Sequence, residues 1–242
     1  MVDGDLKNAS GSTNKISSFV RASRESWGER RLARQIAQRG RWYDPLHGDP
    51  VLQAVVDEII QGCGISMFVE TGTFVGDTTK YVASRHPHLK VLTCEINPRW
   101  SDLAKRLCKG LDNIEFFQGE SSVFLVRLHD RLESSRTLFW LDAHWGVPWP
   151  LFEETRIIST LPTYAVIVDD FEVPDRPAFH YDAYQGVKNC IAAHTKSLGD
   201  SCLIPNYQPD ESCKSPAGYG VYFKNMEYPK LGAISHLRRL SA

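Results

Sequence analysis

Two hydrophobic periods alternate along most of this chain. Nearly continuous apolar runs stand near 66–70, 90–95, 113–117, 137–142 and 164–169, each bounded by turn residues. Runs of that length read as strands buried on both faces. Between them, 77–86, 98–109, 120–132 and 150–160 carry apolar residues at helical spacing. Such alternation predicts an α/β, Rossmann-like, mostly parallel sheet with helices on both faces. After Asp170 the pattern predicts a helix around 184–197 and two late strands, at 202–204 and 219–223. The last follows a turn-rich stretch from Pro205 to Gly218, as an antiparallel partner would. The expected sheet therefore has seven strands and an antiparallel last one.

Ahead of the first strand the pattern differs. Residues 1–15 are polar and without periodicity, which predicts a flexible tail. From Ile16 to Gln38, Phe19, Val20, Trp27, Leu32 and Ile36 recur at helical spacing among several arginines, an amphipathic basic segment. Asp49 followed by Pro50 is a helix start, continuing through Val51, Val55, Ile59 and Ile60. The expected organisation is a tail over 1–15, a helical extension over 16–62 that covers the site or builds a homo-oligomer, and a ligand-binding catalytic domain over 63–242.

Composition narrows the partners. A formal net charge of −1 offers no general attraction for nucleic acid or an anionic membrane. No apolar run approaches the roughly 20 residues that span a bilayer, and the start of the chain lacks a signal-peptide pattern. Six cysteines without C-x-x-C spacing predict free thiols and a cytoplasmic setting.

The candidate chemistry begins at Met67–Thr79, where an apolar run ends in Glu70 and a turn through Thr71, Gly72, Thr73, Phe74, Val75 and Gly76 leads into a helix. Open α/β sheets bind ligands at such turns, beyond the carboxyl ends of their strands. Gly72 permits a tight turn and close approach, and Gly76 close helix packing. Val91–Glu95 then ends a second strand in a carboxylate, placed to hold ribose hydroxyls. Together, ETGTFVG and LTCEINP resemble the cofactor site of class I S-adenosylmethionine-dependent methyltransferases, over roughly residues 64–225. Phe74 stands where that family carries its middle glycine. The resemblance implies that Glu70, Thr71, Gly72, Thr73, Gly76 and Thr78 cradle the methionine portion and that Glu95 binds the ribose. It further implies that Glu120 or Ser121 contacts the adenine; both also suit a helix N-terminus, where side chains satisfy free amides. A nucleotide-binding or non-catalytic Rossmann-like module is the alternative.

Two further strand ends carry acids: Asp142, followed by His144, and the pair Asp169–Asp170. Neighbouring parallel strands would bring the three carboxylates to one rim, where their repulsion calls for a cation or a proton. Carboxylate oxygens suit magnesium, manganese or calcium. This arrangement resembles the metal-dependent small-molecule O-methyltransferases, including those acting on antibiotic sugars. It implies Asp142, Asp169 and Asp170 as metal ligands, Asp142 also near the cofactor, and His144 as the base. Trp145, Trp149, Phe171, Phe179, Tyr181 and Tyr184 either line an acceptor pocket or anchor their loops. The expected function is methyl transfer from S-adenosylmethionine to a hydroxyl of a small molecule, as in natural-product biosynthesis, assisted by magnesium. A metal-dependent hydrolase using the same three acids is the other enzymatic alternative.

Overall fold

A computed structural model describes residues 30–39, 44–143, 149–210, 213, 215–226 and 235–242. The expected tail over 1–15 and most of the basic segment lie outside the described residues, as do His144 and Trp145. The chain divides into 1–40 and 41–242, so the helix opened by Asp49 falls with the sheet. Within the first part, helix α1 covers 30–39.

The second part is built on an eight-stranded sheet. Strands β1 (Met67–Thr71), β2 (Lys90–Glu95), β3 (Ile114–Gln118), β4 (Thr137–Leu141) and β5 (Tyr164–Val168) run parallel in the order β3-β2-β1-β4-β5. The strand order reverses between β1 and β4, the switch point beside which open α/β sheets bind ligands. Beyond β5 come β9 (Gly220–Lys224), β8 (Ser201–Pro205) and β10 (Leu237–Ser241), each antiparallel to its neighbour. The eighth strand is additional to the seven expected. Its sequence, LRRLS, lacks strict alternation, and its arginines suit a sheet edge, where charge discourages pairing with another chain.

Every residue of β1, β4 and β5 is buried, as expected for strands covered on both faces. On one face Phe68, Leu138, Trp140 and Ile167 pack with Leu52, Val55, Val56 and Ile59 of α2 (Pro50–Gly62) and Val82 of α3 (Asp77–Arg85). On the other face Val69, Leu92, Phe139, Leu141 and Val168 meet Phe124, Leu125 and Leu128 of α5 (Ser121–Glu133) and Ile157 and Ile158 of α6 (Leu151–Ser159). Burying each such side chain contributes about 1.5–3 kcal/mol. Helix α4 (Pro98–Leu107) stands between β2 and β3.

The expected helix over 184–197 begins only at Ile191, as α7 (Ile191–Leu198). Its first half is a hairpin of β6 (Ala183–Tyr184) and β7 (Val187–Lys188). Gln185 and Gly186 both have positive φ, 49° and 83°, as hairpin turns of the mirror-image type require. Gln-Gly is a weaker hairpin signal than Asn-Gly, so helical spacing alone was misleading there.

Candidate active site

The register of the parallel strands aligns their carboxyl ends. Thr71 stands opposite Cys94 on one side and Leu141 on the other, and Leu141 opposite Val168. Glu70, Glu95, Asp142 and Asp169 are thereby drawn to one end of the sheet.

At the turn after β1, most polar groups are already engaged. The Gly72 and Thr73 amides donate to the Cys94 carbonyl at 2.9 and 3.0 Å, and the Gly76 amide to the Thr73 carbonyl at 2.8 Å. Thr73 and Thr93 share a 2.5 Å hydroxyl contact, and Thr71 is fully buried. Glu70, only 2% exposed, accepts hydrogen bonds from Thr79 and Thr93. Burial pushes its carboxyl up to about 7, against the downward pull of those two hydroxyls. Glu70 therefore braces the turn from beneath. The Thr78 hydroxyl accepts the Leu46 amide at 3.3 Å, another internal use of a residue expected at the cofactor.

Gly72 meets a requirement different from ligand approach. At φ 85°, a Cβ there would lie 2.7 Å from the Asp142 carbonyl carbon and 3.0 Å from the Ala143 nitrogen. The residue lets the β1 turn close on the β4 end, where the Asp142 amide donates to the Thr71 carbonyl at 3.0 Å. Gly76, at φ 84°, faces Ala104 and Cys108 at 3.2 Å, so it serves contact between the start of α3 and α4.

Glu95 holds the turn to β2. One oxygen accepts the Phe74 amide at 2.7 Å and the other the Asn97 amide at 2.8 Å. Burial raises its carboxyl above the ordinary range, opposed by those backbone donors. Phe74 adopts φ 46° at the position of the missing glycine, and its ring packs 4.8 Å from that of Trp100. Beside Glu95, Ile96 is 62% exposed, an apolar surface the sequence reading passed over. Glu120 is exposed and makes no capping hydrogen bond, whereas Ser121 is buried.

Asp142, Asp169 and Asp170 come together as expected: one oxygen from each lies within 4.8 Å of the others. Asp169 is completely buried, and Asp170 takes the unusual φ of 48°. A second residue, Asn189, holds the backbone of the pair. Its amide nitrogen donates to the carbonyls of Asp169 at 2.7 Å and Asp170 at 3.1 Å. Both amide protons are thus spent, so its oxygen must accept the 2.8 Å bond from His194 Nε2. His194 therefore carries a proton on Nε2. Burial pushes its pKa down to about 4, which favours the neutral ring.

The residue that sequence reasoning missed is His47. It lies in a tight turn, Pro45–Gly48, and its Nε2 stands 2.8 and 3.0 Å from the two oxygens of Asp169. Burial alone would lower its pKa. The charge and hydrogen bond of Asp169, with Asp142 and Asp170 behind it, outweigh that and push it up to about 10. No periodicity marks this turn; a histidine just before a helix-opening Asp-Pro was the only signal available.

Of the aromatic residues, Trp149, Phe171 and Phe179 are buried in the apolar core and anchor their loops, while Tyr181 is exposed. All six cysteines are free. Among the described residues no helix is long and apolar enough to cross a membrane.

No protein-family model matches the chain. The O-methyltransferase imqG of Aspergillus flavus is 27% identical over 114 residues, 44% of this chain and 46% of that protein. The chain thus matches about half the length of that curated relative. Among solved structures, the O-methyltransferase from Bacillus cereus in complex with S-adenosylhomocysteine superposes with a TM-score of 0.52 at 17% identity, over 72% of this chain and 81% of that one. TomG from Streptomyces achromogenes, an O-methyltransferase involved in tomaymycin synthesis and solved with S-adenosylmethionine, gives 0.52 at 20% identity, over 72% and 79%. The fold is that of the class I methyltransferases. Within this methyltransferase fold, β9 is the antiparallel strand inserted beside β5, and β10 is an extra edge.

Proposed function

We propose that this chain is an S-adenosylmethionine-dependent methyltransferase that methylates a hydroxyl of a small molecule with the help of a divalent cation. One observation carries the reading: the three carboxylates of Asp142, Asp169 and Asp170 meet at the same end of the sheet as Glu95. The likeness to O-methyltransferases of Aspergillus flavus, Bacillus cereus and Streptomyces achromogenes supports the transfer to oxygen. A role for TomG in tomaymycin synthesis supports a natural-product acceptor.

The residues fit both groups. Beyond its backbone donors Glu95 keeps accepting capacity for ribose hydroxyls. Exposed Ile96 beside it suits the flat face of a base. The acid cluster brings three carboxylates together, and its all-oxygen donors match magnesium or manganese. When bound, the cofactor supplies a methyl group on a sulfonium centre, and the cation supplies charge that favours deprotonation of a hydroxyl. The chain's own work is to fix the acceptor oxygen, keep water out and take its proton. His144 keeps the role of proton acceptor in this proposal, two residues beyond Asp142. An assembly of copies through the N-terminal helices belongs to the same proposal.

Calorimetric titration with S-adenosylhomocysteine, run with Mg²⁺ and again with a chelator, tests the reading. Micromolar binding that responds to the cation is the expected result. Binding indifferent to the cation would favour a metal-free methyltransferase. Absence of binding in both conditions would refute the methyltransferase reading.

A further inference from the structure

We propose that His47 is a positioning residue for the acid cluster: its Nε2–H fixes the Asp169 carboxylate in the orientation that faces Asp142 and Asp170 and accepts a divalent cation. This inference rests on the metal-assisted reading above.

The need for such a donor follows from the cluster itself. Three carboxylates within 4.8 Å repel one another, and rotation about the last bond of an aspartate is soft. Asp169 has no solvent to stabilise it, being completely buried. A single donor placed between its two oxygens, at 2.8 and 3.0 Å, pins the plane of the carboxylate and leaves other lone pairs for a cation. Nε2 can donate in the neutral tautomer and in the imidazolium alike, so the role does not depend on the charge of His47.

The turn is constructed to present that ring. Leu46 and His47 are successive non-glycine residues at φ 52° and 60°, a left-handed conformation that side chains disfavour. Such strain persists where the surroundings impose it, and it concentrates at functional sites. Here four separate parts of the chain impose it. Thr78 accepts the Leu46 amide, Gln53 donates to the Pro45 carbonyl at 3.0 Å, and Cys213 donates to the His47 carbonyl at 3.2 Å. Asp49 caps α2 through the Val51 and Leu52 amides and accepts the Tyr207 hydroxyl at 2.5 Å. A turn needed only as a staple has Leu46, itself buried in the core, for that purpose. The ring of His47 is directed instead at the most buried acid of the cluster.

Partners that orient metal ligands in this way typically govern affinity by about 10–100-fold. Mn²⁺ binding to the full chain, followed by electron paramagnetic resonance, reads the effect directly. His47→Phe and His47→Met remove the donor at similar volume, and His47→Gln retains one. The expected result is Mn²⁺ affinity about 10–100-fold weaker in both donorless variants and largely restored in His47→Gln, with S-adenosylhomocysteine affinity close to that of the unaltered protein and a thermal midpoint lowered in the donorless variants, where the buried Asp169 loses its partner. Should His47→Phe fail to fold, His47→Met carries the comparison. Equal or tighter Mn²⁺ binding in a folded donorless variant overturns the role of His47 while leaving the metal reading intact. Failure of the unaltered protein to bind Mn²⁺ overturns the metal reading, and this proposal with it.

Discussion

Replacing Gly72 with alanine tests whether the turn after β1 and the end of β4 form one mechanical unit. Two costs arise. A left-handed φ of 85° charges any L-residue about 1–2 kcal/mol. The new Cβ would also press on the Asp142 carbonyl group and the Ala143 nitrogen, at 2.7 Å from the carbonyl carbon. Ordinary contact begins near 3.4 Å, and overpacking of this kind costs about 1–3 kcal/mol more. Gly76 is the built-in control. Its φ of 84° carries the same conformational cost, but its Cβ would meet two side-chain atoms at 3.2 Å and the Ala104 Cα at 3.5 Å, a milder crowding. Gly72→Ala should therefore lose about 2–5 kcal/mol and Gly76→Ala about 1–2 kcal/mol. In urea unfolding, with a slope of about 2–3 kcal/mol per molar, the two midpoints should differ by roughly 0.5–1 M. Because the displaced backbone is that of Asp142, Mn²⁺ affinity should fall in Gly72→Ala and hold in Gly76→Ala. Coincident midpoints and equal Mn²⁺ affinities would refute the coupling.

Glu70→Gln should change how stability depends on pH. The folded carboxyl titrates near 7 and the unfolded one near its ordinary 4.5, so the folded state binds more protons between those values and stability falls as pH rises through them. Relative to Glu70→Gln, the unaltered protein should lose on the order of 3 kcal/mol across that window; parallel stability profiles would contradict the buried-carboxylate account. Glu95→Ala should weaken S-adenosylhomocysteine binding by about 10–100-fold, the scale of a lost charge-assisted hydrogen bond, and an unchanged calorimetric affinity would remove Glu95 from the cofactor site. Asn189→Asp would set a carboxylate against two carbonyls that now accept an amide, and a loss of about 2–4 kcal/mol is expected in urea unfolding. A change below about 0.5 kcal/mol would count against the amide clamp.

The apolar runs disclosed β1 to β5 to within a residue or two; β1, β4 and β5, buried on both faces, leave little choice of residue type, while the edge strand β3 is only partly buried. Acids at their ends were equally legible, and Asp142, Asp169 and Asp170 did converge. Legibility failed where a residue's role is set by something distant in the chain. For Gly72 the sequence did not disclose the approach of the Asp142 backbone, nor for Thr78 the hydrogen bond from the Leu46 amide. His47 sits in a turn without periodicity, and Asn189 lay inside the stretch read as a helix over 184–197, so neither was marked as part of the cluster. The edge strand β10 escaped for a related reason: an edge needs charge more than it needs alternation.

The two halves of the site also differ in how far along the chain their contacts reach. Phe74 and Glu95, which close the cofactor end, are 21 residues apart, whereas His47 and Asp169 are separated by 122. Closing the longer loop costs roughly 1.5 kcal/mol more in chain entropy before any contact repays it. On that ground the contact between Phe74 and Glu95 is easier to close than that between His47 and Asp169, and under the proposed function a bound cation would report closure of the longer loop.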